Sequence, residues 1–111
     1  MTTLADLTGP VITLRLLLVE HPGLPAPCAN LTPIYSNVLE LSFHNSFADF
    51  EAWRAALNIP PAAVTHRVQG NGTTATLTAR TEFAGATVEI VGYGPALREA
   101  ADQDGFRAVA A

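Results

Sequence analysis

The sequence contains no lysine, and its six basic residues, Arg15, Arg54, Arg67, Arg80, Arg98 and Arg107, are scattered along the chain. Formal net charge is −4 with the histidines neutral. Neutralising a phosphate backbone needs clustered cations, so nucleic-acid association is disfavoured. Cys28 is the only cysteine, which excludes an intrachain disulfide and the four-cysteine zinc patterns. No HxH, HxxxH or CxxC spacing occurs, so no metal or other cofactor is expected. No apolar run reaches membrane-spanning length: Thr13 and Arg15 interrupt the longest, Val11 to Val19. With no basic leader at the N-terminus, the expected location is cytoplasmic, without membrane contact.

What the chain does contain is apolar content, 49% over 111 residues. That suffices for one domain with its own core, expected over residues 1–103, with 104–111 as a mobile tail. The clearest pattern lies between Val64 and Gly92. Three runs rich in Val, Thr and Ile are separated by Gly70-Asn71-Gly72 and Ala84-Gly85, which supply the positive φ of tight hairpins. This predicts a three-stranded antiparallel meander with one face to bury. Alternation sets Val64, His66 and Val68 on the core side of the first strand. His66 is therefore expected at the core margin, at least half buried, because the opposite choice buries Arg67.

Upstream, Leu7, Val11, Leu14 and Leu18 fall at helical spacing, and Ile12, Leu16 and Val19 widen the stripe, predicting a helix over about Gly9 to Glu20 with Thr8 as cap. Pro22 and Gly23 end it, and Pro25 and Pro27 stiffen the connector that follows. A hairpin is expected next, Ala29 to Tyr35 with Val38 to His44, turning at Ser36-Asn37. Pro33 consigns its first strand to a sheet edge. In the second strand Leu39, Leu41 and Phe43 alternate with Glu40, Ser42 and His44, the period of a half-buried strand. Ser46 and Asp49 mark the start of a second helix running to Leu57, with Phe47, Phe50, Trp53 and Leu57 on one face. Pro60-Pro61 forbids its continuation, and Pro95 is placed to start a short third helix. The expected fold is α+β, order α-β-β-α-β-β-β, an antiparallel sheet with helices packed on one face.

The segments His21-Pro22-Gly23-Leu24-Pro25-Ala26-Pro27, Phe50-Glu51-Ala52-Trp53-Arg54-Ala55-Ala56-Leu57, Val64-Thr65-His66-Arg67-Val68, Phe83-Ala84-Gly85 and Gly92-Tyr93 together resemble a group of short uncharacterised actinobacterial proteins often associated with phages or mobile elements. That resemblance implies no activity and carries over no functional residue.

No catalytic constellation stands out. The serines sit in no nucleophile elbow, and Gly92-Tyr93-Gly94 lacks the spacing of a dinucleotide fingerprint. The leading expectation is a non-catalytic protein-interaction module, an adaptor or a homodimer. Thr87, Glu89 and Val91, on a last strand expected to be an unprotected edge, are its candidate contact residues, together with Trp53. The enzyme alternative is a small hydrolase or isomerase with a pocket around His44, His66 and Glu40. The remaining alternative is a nucleic-acid accessory protein.

Overall fold

The second helix forms where its cap signals lie. Ser46 is extended, and its hydroxyl accepts from the Asp49 amide at 3.2 Å, so helix α2 (Phe47–Ala56) begins satisfied. It ends at Leu57, and Asn58 in the left-handed region turns the chain out. The computed structural model describes residues 1–44, 46–69 and 72–95. A 3-10 turn, Leu4–Leu7, leads into helix α1 (Thr8–Glu20). Strands β1 (Cys28–Asn30) and β2 (Val38–His44) precede α2. A second 3-10 turn, Pro61–Ala63, then leads to β3 (Thr65–Val68), β4 (Thr74–Phe83) and β5 (Ala86–Pro95). The two 3-10 turns punctuate the expected succession of helices and strands. The expected third helix and the tail beyond residue 103 lie outside the described residues, and Pro95 itself ends β5.

The β3-β4-β5 meander is present. Its second turn uses Ala84 (φ 55°) and Gly85 (φ 86°), both left-handed, as a two-residue hairpin matched to strand twist requires. The sheet, however, is mixed, with strand order β1-β2-β5-β4-β3. β2 pairs with β5 in parallel, Leu41 opposite Ile90, and every other pairing is antiparallel. Two expectations fall with this order. The sheet is not antiparallel throughout, and β5 is a central strand rather than an edge. The physical reason lies in the connection through α2. β3 runs parallel to β2, and their connection passes over α2, as parallel strands require. β3 lands three places away, and β4 and β5 fold back into the gap.

The first hairpin is also shorter than its sequence pattern. β1 spans three residues, Cys28 opposite Ser42 and Asn30 opposite Glu40, and Pro33 lies in the loop rather than on an edge strand. β5 runs on through Gly92 and Gly94 to Pro95.

The core lies on one side of the sheet. Leu39, Leu41, Phe43, Val88, Ile90 and Ala79 point there, covered by Leu17 of α1 and by Phe50 and Trp53 of α2. Glycine decides how closely α2 approaches: a Cβ on Gly92 meets the Cβ of Phe50 at 3.0 Å, and one on Gly94 meets the Phe47 ring at 2.8 Å. The Phe rings thus occupy the space that β5 side chains vacate. At the other end, Thr13 is fully buried and donates its hydroxyl to the Phe83 carbonyl at 3.0 Å. A Cβ on Gly9 meets Oδ1 of Asn37 at 2.7 Å, and the Asn37 side chain in turn donates to the Gly85 carbonyl. α1 therefore buries Pro10, Thr13 and Leu17; of the expected stripe Leu14 packs against the core, while Val11 and Leu18, and with them Ile12, Leu16 and Val19, are exposed.

Gly92→Ala forces the added methyl against the backbone-proximal part of Phe50, which cannot swing aside. A loss of about 1–3 kcal/mol is expected in urea denaturation. Gly94→Ala is the contrasting case, because the half-buried Phe47 ring has room to rotate. Equal stability of Gly92→Ala and the wild type contradicts this packing.

Candidate functional site

Among the described residues no element covers two surfaces: the sheet face opposite the helices and the outward side of α1. On the sheet, registry aligns side chains into rows. His44, Tyr93, Thr76 and Arg67 form one row across β2, β5, β4 and β3. Ser42, Val91, Thr78 and Thr65 form the next, continued by Cys28 on β1. Asn30, Glu40, Glu89 and Arg80 form a third across β1, β2, β5 and β4.

The first row has a flat aromatic pair. The His44 and Tyr93 rings stack at 4.9 Å with planes 4° apart. The third row places two carboxylates side by side, because the parallel register sets Glu40 opposite Glu89. Each has its own partner. Asn30 Nδ2 donates to Glu40 at 3.1 Å, and Arg80 Nε donates to Glu89 at 3.0 Å. The partners face outward from the pair: Arg80 neutralises Glu89, and the uncharged Asn30 amide satisfies an oxygen of Glu40 without cancelling its charge. Between the first and third rows lies an open hollow of about 690 Å³, bordered by Arg67, Thr76, Thr78, Tyr93, Glu89 and Glu40. The threonine row at 74, 76 and 78 is half-buried on this face.

The structure therefore gathers most of the residues singled out from sequence. Thr87, Glu89, Val91, Glu40 and His44 share this face. Val91 is buried at 6% exposure although it faces away from the helices. Since β5 is central, its hydrogen-bonding edge is unavailable to a partner, and only its outward side chains are open to one. His66 is elsewhere. It lies on β3, two strands from β5, opposite Leu77 and on the helix side of the sheet. Its expected burial is overturned, because all four β3 residues are exposed. Alternation gives the side of the strand, but β3 is an edge that α2 does not cover; α2 packs chiefly on β5 and β2. His44 and His66 do not converge. Both are exposed, and neither hydrogen-bonds a carboxylate among the described residues.

Trp53 is 4% exposed and packs on Phe43 with ring centroids 6.0 Å apart. Its Nε1 donates to the Pro25 carbonyl at 2.7 Å, which ties the proline connector to α2. A small apolar cleft of about 210 Å³ lies beside it, bordered by Leu14, Leu18, His21 and Pro25. Tyr93, Arg80 and the Glu40–Glu89 juxtaposition were not anticipated from sequence. The last depends on a parallel pairing that no local pattern signals.

Electrostatics and chemistry are both modest. Arg67 and Arg80 share the open face with Glu40, Glu82 and Glu89, so it presents no cationic track for phosphates. Ser42 donates its hydroxyl to the Cys28 carbonyl. Among the described residues no three or more His, Cys, Asp or Glu side chains converge to hold a metal ion, and no helix is long and apolar enough to cross a membrane.

No family model, curated protein or solved structure matches the chain.

The outward side of α1 differs in character from the sheet face. Val11, Ile12, Leu16, Leu18 and Val19 are all substantially exposed. A helix that is apolar around its circumference is the sign of one with neighbours on both sides. Its only cation is Arg15. Neither Arg15 nor Glu20 has a hydrogen bond or ion pair among the described residues.

Trp53 is the only tryptophan, so its environment is directly readable. Wild-type emission is expected to be blue-shifted and resistant to iodide quenching. Trp53→Phe removes the donor to Pro25 and is expected to cost about 1–2 kcal/mol in denaturant unfolding. Emission characteristic of a water-exposed indole contradicts the burial described.

Proposed function

We propose that this chain is a small non-catalytic interaction module, a cytoplasmic adaptor or self-associating accessory protein, which docks through the outward side of α1. The observation that supports this most is the contrast between the two sides of that helix. The side against the sheet buries Pro10, Thr13 and Leu17 with Leu14 packed beside them, yet five further aliphatic side chains, at 11, 12, 16, 18 and 19, face water. Contiguous apolar surface of that kind is uncommon on a monomer and marks contact sites. An accessory role in a phage or mobile element accords with the sequence resemblance and belongs to the same proposal.

The earlier candidate edge at Thr87, Glu89 and Val91 is replaced in this reading by the helix. The open sheet face, with its paired polar rows, serves as a hydrated surface. The double variant Ile12→Glu/Val19→Glu tests the assignment. Both side chains are exposed, so thermal unfolding is expected to stay within a few degrees of wild type. Retention of the specific partner from native-host extract, identified by mass spectrometry, is expected to be lost. A variant that retains the same partner as wild type contradicts docking through α1.

A further inference from the structure

The charges on α1 say what its outward side fits. Ile12, Leu16 and Val19 are spaced by four and then three residues, the repeat of a helix–helix seam. Arg15 flanks this seam on one side, just before Leu16, and Glu20 flanks it on the other, just after Val19. Val11 and Leu18 lie beyond Arg15, and Leu18 borders the apolar cleft beside Trp53. Arg15 and Glu20 are unpaired among the described residues, although oppositely charged and on one helix. Separated by five residues on opposite flanks, they do not reach each other around the seam.

We infer that a second copy of this chain covers the seam, with the two α1 helices side by side and parallel. This rests on the reading of α1 as the docking side. In that arrangement Ile12, Leu16 and Val19 each face their own equivalents across a two-fold axis. Each Arg15 lies beside Glu20 of the other copy, so one symmetric contact forms two ion pairs. An antiparallel pair instead sets Arg15 against Arg15 and Glu20 against Glu20 and is opposed by like charge. The same charges thus select both the partner and its direction.

The area agrees with a reversible contact. Exposures of 50% for Val11, 48% for Ile12, 37% for Leu16, 66% for Leu18 and 69% for Val19 leave apolar surface on the order of 400–500 Å² per copy. Val11 and Leu18 lie outside the seam, so pairing Ile12, Leu16 and Val19 with the stems of Arg15 and Glu20 removes roughly 800 Å² in all, at the low end for a weak, reversible contact. Because the helix spans 13 residues, under two heptads, the pair depends on the folded domain to hold each helix in place.

Sedimentation velocity of the full chain tests this. Wild type is expected to shift from monomer to dimer as its concentration is raised to about 100 µM, where contacts of this size associate. Val19→Glu is expected to weaken that association at least about tenfold with unfolding temperature unchanged. Arg15→Glu and Glu20→Arg are each expected to weaken self-association, and an equimolar mixture of the two is expected to restore it. Wild type remaining monomeric at this concentration overturns the second-copy assignment. So does a mixture that associates no better than its components. If wild type is monomeric while Ile12→Glu/Val19→Glu still loses a host protein, docking through α1 stands and only its occupant is wrong. If the double variant keeps that protein, the docking side itself is wrong.

Discussion

The parallel pairing of β2 with β5 holds the arrangement together. Val38 lies opposite Thr87 and His44 opposite Tyr93, so strands about fifty residues apart in sequence form the middle of the sheet. Everything between them is arranged around that contact. α2 carries the chain across the sheet from β2 to β3, and the β4–β5 hairpin returns to fill the space beneath it. Leu39 and Leu41 on one strand and Val88 and Ile90 on the other have no exposed surface. Fully burying aliphatic side chains of this kind contributes about 1.5–3 kcal/mol each before entropy is set against it. The glycines at 92 and 94 belong to the same logic, since they let Phe50 and Phe47 sit against β5.

The pairing also decides which surfaces are left for function. With β5 in the middle, the terminal strands are β1 and β3, of three and four residues, and beyond Thr78 β4 has no strand beside it on the β3 side among the described residues. Short edges offer little template for strand addition. The outer sheet face is threonine-rich and charged, and Glu40 and Glu89 are each satisfied by a neighbour. α1 is the exception. It is anchored by Pro10, Leu17 and the buried Thr13 hydroxyl, and five further aliphatic side chains are directed outward.

Local chemistry was legible in the sequence wherever a local cause was sufficient. Ser46 and Asp49 capped α2, Ala84-Gly85 made the hairpin turn, and the alternation of Leu39, Leu41 and Phe43 gave the buried side of β2. Strand order was not legible, because a parallel partner is chosen by a crossover and leaves no mark in either strand. That one gap displaced the expected edge from Thr87–Val91 to β3 and exposed His66. The buried side of α1 was misread for a different reason. A helix apolar all round has no periodicity to read, and Gly9, Pro10 and Thr13 are chosen for close approach rather than hydrophobicity. Of the candidate site, the shared face of Glu40, His44, Glu89 and Val91 followed from alternation, while their adjacency required the pairing of β2 with β5.

Amide hydrogen exchange resolved by residue tests the central pairing most directly. A central β5 hydrogen-bonds on both sides, so consecutive amides from Val88 to Gly92 should exchange only through global unfolding, at rates shared with Leu39 and Leu41 of β2. Amides on the outer side of β3 should exchange faster. If alternate amides of β5 exchange rapidly, as on an edge strand, while β2 is protected independently, the parallel pairing is contradicted and the strand order with it.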